Sequence, residues 1–119
     1  MSVDRVERLN SLLKRVIAEN IFTVLQSSAY SPGIFTVTAV SCAKDMRDCT
    51  VKVSVFAPTP EEKTRALGEI TSRSREFQRA INREVRMKYT PRLRFVLDES
   101  LEKGDRVLDI ISKLENGQS

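Results

Sequence analysis

The chain contains no histidine and no tryptophan among its 119 residues. Without histidine, the commonest general base of enzymes is missing, and a Cys/His metal site is excluded. The four glycines stand apart from one another, so no glycine-rich phosphate-binding loop exists. The acidic pairs Glu61–Glu62 and Asp98–Glu99 are better explained as helix starts, where carboxylates interact favourably with the helix dipole. These absences predict a protein that is not an enzyme and needs no metal or cofactor.

The chain has only two cysteines, Cys42 and Cys49, and their spacing matches no zinc motif. Neither has a basic partner that would activate a thiol nucleophile. We expect both to be reduced thiols on strands, as is usual for cytosolic proteins.

The sequence also lacks a run of apolar residues that could cross a membrane. The longest uncharged run, residues 20–43, has Pro32-Gly33 at its middle, which would break a helix. The first ten residues alternate in charge and do not resemble a secretory signal. We therefore expect a cytoplasmic monomer with no membrane partner. The length predicts a single domain over residues 1–119, with residues 115–119 frayed.

Hydrophobic periodicity predicts the element order α-β-β-α-α-β-α. A three/four spacing from about Asp4 to Gln26 indicates an amphipathic helix, and a period of two over residues 34–43 and 49–57 indicates a β-hairpin. Thr59 and Pro60 start a second helical segment, and the serines at Ser72–Ser74 predict a bend or break within it. A third strand follows at residues 92–98 and a last helix at residues 101–114. The prediction is an α+β fold in which helices cover the apolar face of a three-stranded sheet.

The hairpin can be paired in two registers, because a shift of one residue exchanges the faces of a strand. The favoured register buries Phe35, Val37 and Ala39 with the valines of the second strand and needs an odd loop. Cys42 and Cys49 would then point to opposite faces, and no disulfide could join them. The alternative, an even loop, would bury Thr36, Thr38 and Val40.

Positive charge is concentrated in residues 73–94, which contain eight basic and two acidic residues, in a chain of net charge +4. At about 100° per residue, four arginines fall on one side of a predicted helix and its apolar residues on the other. These arginines are Arg75, Arg79, Arg83 and Arg86, and the apolar residues are Phe77, Ile81 and Val85. Arginines four apart repel each other by about 0.2–0.5 kcal/mol per pair, which a polyanionic partner would offset.

Arginine suits phosphate in particular, because its planar fork donates two parallel hydrogen bonds. The candidate RNA-binding residues are therefore Arg75, Arg79, Arg83, Arg86, Lys88, Arg92 and Arg94. Aromatic residues are few, and with most phenylalanines expected in the core, only Tyr30 and Tyr89 are candidates for exposed rings. We expect recognition of RNA backbone and shape rather than of base identity.

The order and spacing of several motifs resemble bacterial ribosome-binding factor A. They are the TVTAVSCAKDMRDCTVKVSV hairpin and the segment RMKYTPRLRFVLDESLEKGDRV. The matching features are the turn at Ser41–Asp48, the strand at Lys88–Phe95, Asp98–Ser100 and Gly104. The resemblance runs from about Arg5 to Leu114. At the kink between the central helices the family carries Ala-x-Gly, whereas this chain has Arg73-Ser74-Arg75.

This resemblance implies a type II KH-like fold and a non-enzymatic role in ribosome biogenesis. It implies binding to the immature 30S subunit and its 16S rRNA during late maturation, a part in 5′-end rRNA processing, and importance for cold adaptation. An alternative hypothesis is a protein-interaction module whose basic helix docks on an acidic protein without direct RNA binding.

Overall fold

A computed structural model describes residues 2–99, with side-chain environments from residue 5 onward. The elements are α1 (Ser2–Val24), β1 (Phe35–Cys42), β2 (Asp48–Val55), α2 (Pro60–Ser72), α3 (Ser74–Glu84) and β3 (Arg92–Leu97), with a short 3₁₀ turn at Pro32–Ile34. This α+β order confirms the predicted one up to the third strand. The helix predicted at residues 101–114 and the fraying predicted at residues 115–119 lie outside the described residues.

The three strands form one sheet in the order β1-β2-β3. β1 and β2 pair antiparallel, as a hairpin must, whereas β2 and β3 pair parallel. A parallel pair needs a long crossover connection, and α2 and α3 provide it. The helices pack on the face of the sheet that carries Val51, Val53 and Phe95, all of them buried.

α1 covers the sheet with one apolar stripe, as its periodicity predicts. Leu13, Val16 and Ile17 are fully buried, and Ile21, one turn further along the helix, is buried as well. Among the described residues no helix is both long enough and apolar enough to cross a membrane.

The hairpin follows neither predicted register along its whole length, because β1 contains a bulge between Val37 and Ala39. Before the bulge Phe35 and Val37 face the core, and after it Val40 and Cys42 do. An extra residue in one strand of a pair exchanges the faces of everything beyond it. The favoured odd register is therefore right only for the first half of the strand, and Ala39 is not buried.

The same bulge makes the prediction for the two cysteines wrong. Beyond it Cys42 lies directly opposite Cys49, both side chains face the core, and the two residues are joined by a disulfide. The excluded cross-strand bond rested on a hairpin without a bulge, whereas the expected reduced thiols rested on the rarity of disulfides in cytosolic proteins.

The turn of this hairpin places Met46 in the left-handed region, with a φ of 61°. A side chain there costs about 1–2 kcal/mol, a cost that glycine does not carry. We expect Met46→Gly to be more stable than Met46→Ala by about 1 kcal/mol in urea denaturation, although both variants lose the methionine side chain. At Lys44, in the same turn without a positive φ, glycine should not be more stable than alanine. Equal stability of the two Met46 variants would contradict the assigned turn.

The predicted break in the central helical segment is confirmed at Arg73, which separates α2 from α3. α2 starts as expected, since Thr59 Oγ1 accepts a hydrogen bond from the Glu62 amide and Pro60 is the first helical residue. Arg73 itself has φ −103° and ψ 14°, outside the helical region. The amide of Phe77 nevertheless bonds to the Arg73 carbonyl, so α3 restarts at once.

Candidate nucleic-acid interface

The orientation of α3 is set by a short apolar face that is almost completely buried. Phe77 and Ile81 are fully buried, and Ala80 is 1% exposed. The Phe77 ring packs against that of Phe95 in β3, with 5.5 Å between the ring centroids. The opposite face of α3 must therefore point away from the sheet.

This outward face carries Arg75, Arg79 and Arg83, and all three are exposed. The two acidic residues of α3 are occupied elsewhere. Glu76 lies 3.8 Å from Arg73, and Glu84 accepts a hydrogen bond from Asn20 of α1 at 3.0 Å. Within residues 5–99 no carboxylate forms an ion pair with any of the three arginines. They form an uncompensated cationic row, called here the arginine row.

The predicted fourth member, Arg86, does not lie on this helix. α3 ends at Glu84, and Val85 is extended, with φ −127° and ψ 130°. Val85 is still buried, which explains why it fitted the apolar stripe of a longer helix. Arg86 is exposed but belongs to the connection between α3 and β3, so its helical phase was wrong.

Arg92 and Arg94 are exposed but do not continue the arginine row. Side chains alternate along a strand, and Leu93 and Phe95 pack on the core, so Arg92 and Arg94 point away from the helices. Arg92 is also paired with Asp48 of β2, with 2.9 Å between Nε and Oδ1. Arg92 and Arg94 thus lie on the face of the sheet opposite to the arginine row.

A shallow depression of about 320 Å³ adjoins the arginine row. It is lined by Arg75, Gln78, Arg79, Asn82 and Thr90. The Gln78 amide donates to the Pro91 carbonyl at 2.9 Å and so ties α3 to the connection that follows it. Two arginines beside neutral amide and hydroxyl groups can donate several hydrogen bonds to phosphate or ribose oxygens.

A larger cleft of about 550 Å³ opens where the start of α1, the hairpin turn and the connection after α3 meet. Among the described residues, its cations are Arg5, Arg8, Arg47, Arg86 and Lys88, and its acid is Asp45. Its apolar lining consists of Leu9, Leu12, Met46, Val85 and Met87. The remaining residue is Tyr89, whose side chain is 50% exposed. Arg86 and Lys88 are thus brought together with three cations that the sequence analysis did not single out.

Two phenylalanines lie on the surface, although Tyr30 and Tyr89 were the only rings expected there. Phe22 of α1 is 65% exposed and Phe56, directly after β2, is 86% exposed. Tyr89 is exposed as predicted, while Tyr30 is half-buried against the core. Within the described residues no cluster of three or more His, Cys, Asp or Glu side chains could hold a metal ion.

Comparison with known proteins identifies the family. The family model described as ribosome-binding factor A matches residues 5–111. Ribosome-binding factor A of Acetivibrio thermocellus is 33% identical over 111 residues, which are 93% of this chain and 89% of that protein. The protein from Trichormus variabilis is 29% identical over 115 residues, 97% and 86% of the two chains.

Solved structures agree with this result. The crystal structure of ribosome-binding factor A from Thermus thermophilus superposes with a TM-score of 0.64 at 33% identity, covering 77% of this chain and 94% of that one. A model of the Thermus thermophilus factor fitted into a cryo-electron microscopy map of a complex with the 30S subunit has a TM-score of 0.58 at 30% identity, covering 76% and 91%. The described fold is that of these proteins, a KH-like α+β domain, and the chain belongs to the ribosome-binding factor A family.

Proposed function

We propose that this chain is a non-enzymatic assembly factor that binds the small (30S) ribosomal subunit through its 16S rRNA during late maturation and 5′-end processing. It acts in the cytoplasm as a monomer and as a single RNA-binding domain, and it matters most in the cold. The observation that carries the proposal is the arginine row, which is held outward by a buried helix face and has no carboxylate partner among residues 5–99. A related factor has been fitted into a map of a 30S complex, which supports the same partner here.

The physical reason is the density of phosphates on folded RNA. Arg75, Arg79 and Arg83 repel one another in the free protein, and phosphates remove this repulsion on binding. About three phosphate contacts predict that log affinity falls with log salt concentration with a slope of about −2 to −3. In this proposal the arginines contact phosphates rather than base edges. They therefore contribute to affinity and to the position of the RNA, and not to sequence specificity.

The double variant Arg79→Glu/Arg83→Glu should weaken binding to purified small subunits at least about tenfold, since two charge-assisted contacts are replaced by repulsion. The slope of log affinity against log salt concentration should become shallower by the contribution of about two phosphate contacts. Cosedimentation and equilibrium binding at several salt concentrations measure both quantities. Urea denaturation checks that folding is preserved, because neither side chain is part of the core.

A matched control is Lys14→Glu/Arg65→Glu, which changes the net charge equally on exposed positions of α1 and α2. It should leave subunit binding within about twofold of the unmodified protein, since charges outside the contact act only through a screened field. Equal losses in the two double variants would contradict a binding site at the arginine row.

The acidic-protein alternative predicts a different result after ribonuclease treatment. If the arginine row binds rRNA, degradation of the RNA releases the factor from ribosomal particles. Retention on the remaining protein components would instead favour docking on an acidic protein.

A further inference from the structure

The cleft between α1, the hairpin turn and the connection after α3 has the chemistry of a nucleotide site. We propose that it holds one unstacked nucleotide of the bound RNA, with the base against Tyr89 and the apolar lining and the phosphate among the cations at the rim. This inference rests on the proposed RNA-binding function but concerns a different surface from the arginine row.

The composition of the cleft favours a ligand that is both flat and anionic. In the described lining five cations face one acid, so an anion is attracted, yet about half of these residues have aliphatic or thioether side chains. A purely electrostatic contact with phosphate needs no such lining, and a purely apolar ligand would not need the cations. A volume of about 550 Å³ lies within the range of pockets that bind small ligands.

Tyr89 provides the aromatic surface. Its side chain is 50% exposed, and two cations already lie against its ring, with Arg47 Cζ 4.9 Å and Lys88 Nζ 5.5 Å from the centroid. A base that stacks on this ring displaces Arg47 or Lys88. The displaced cation can then pair with the phosphate of the bound nucleotide, which carries a full negative charge. Aromatic rings bind bases without sequence preference, because every base has a π-face.

The position of the cleft agrees with a continuous path for RNA. The four residues from Arg86 to Tyr89 line the cleft, and the next residue, Thr90, lines the depression beside the arginine row. A strand whose phosphates follow Arg79 and Arg75 can therefore place a neighbouring nucleotide beside Tyr89. The arginine row then supplies affinity, and the cleft selects an unpaired nucleotide over a paired one, because a base within a duplex cannot enter it.

Methionine methyl NMR on the full chain tests the site directly. The chain has three methionines, and Met46 and Met87 both line the cleft. A single-stranded hexa-adenylate should shift both methyl signals through the ring currents of a bound base. The same backbone with abasic riboses should not produce these shifts.

Tyr89→Ala should weaken hexa-adenylate binding between about fivefold and 150-fold and abolish the base-dependent shifts, whereas Tyr89→Phe should retain both. The control Phe56→Ala removes an exposed ring outside the cleft and should change neither quantity. Arg79→Glu/Arg83→Glu should weaken binding but keep the base-dependent shifts at saturation, which separates failure of this site from failure of the proposed function.

Two results would overturn the inference. Equal shifts and equal affinities for intact and abasic RNA would leave the cleft as a phosphate contact only. Adenosine monophosphate binding as tightly as the oligonucleotide would assign the cleft to a free nucleotide rather than to RNA.

Discussion

Phe77→Ala should lower the free energy of unfolding by about 3–5 kcal/mol, the usual cost of emptying the space of a buried phenylalanine. Phe77 is fully buried, and its ring packs on Phe95 at a centroid distance of 5.5 Å. It joins α3 to β3 and so supports the helix that carries the arginine row. Since single domains are typically stable by about 5–15 kcal/mol, this one change removes a large part of the total.

Urea denaturation followed by circular dichroism measures this loss. Phe56→Ala deletes the same ring from a side chain that is 86% exposed and should change stability by less than about 0.5 kcal/mol. Equal, small effects of the two substitutions would mean that the inner face of α3 is not part of the core. The outward orientation of the arginine row would then have no structural cause.

The parts of the fold that the sequence predicts are those governed by local periodicity. The spacing of Phe77 and Ile81 predicts the buried face of α3, and the serines near residue 73 mark its junction with α2. The alternation of Leu93 and Phe95 with Arg92 and Arg94 predicts the third strand and the exposure of its arginines. In each case a repeated spacing within one segment decides which side chains are buried.

The bulge in β1 was missed because both predicted registers assume an unbroken alternation along the strand. Thr38 lies at the bulge, and its hydroxyl donates to Asp98 Oδ2 at 2.6 Å, sixty residues further along the chain. The extra residue exchanges the faces of the strand and brings Cys42 opposite Cys49. The alternation of apolar residues along β1 alone predicts an unbroken register, in which the two cysteines lie on opposite faces.

In the candidate site, too, spacing within one segment predicts only the residues that share that segment. The arginine row lies on one helix, so helical periodicity predicts it, although the same periodicity continues past the end of α3 and includes Arg86. The cleft combines Arg5 of α1, Arg47 of the hairpin turn and Tyr89 of a connection, and only tertiary structure brings these three together. Arg5 and Arg8 beside Leu9 were a possible signal, because they border the apolar stripe of α1, but nothing in the sequence places the turn next to them.

Arg73, at the junction between α2 and α3, takes the place of the small residues that the family resemblance leads one to expect there. Its guanidinium donates to the Val24 carbonyl at 3.2 Å and to Ser27 Oγ at 2.9 Å, at the end of α1. It also contacts Glu69 of α2 at 3.0 Å and Glu76 of α3 at 3.8 Å. With a side chain only 18% exposed, Arg73 links three helices at the point where the chain bends.

Arg73→Ala should therefore cost about 2–3 kcal/mol, because it removes several charge-assisted hydrogen bonds and leaves Glu69 without its partner. Arg73→Lys should recover only part of this stability, since a single ammonium group cannot reach both the end of α1 and the carboxylates in the geometry of the guanidinium fork. Arg75→Ala is the matched control. It removes an exposed arginine two residues away and should change stability by less than about 0.5 kcal/mol.

Small-subunit binding should weaken in both variants, but for different reasons. Arg75→Ala should keep its stability and lose affinity, since Arg75 belongs to the arginine row. Arg73→Ala, studied where circular dichroism shows it folded, should lose affinity because α3 is no longer held at a fixed angle to α1, although Arg73 is not part of the arginine row. If Arg73→Ala is as stable as Arg75→Ala, the bend does not depend on this side chain, and the junction is fixed by the packing of Ile70 and Phe77 alone.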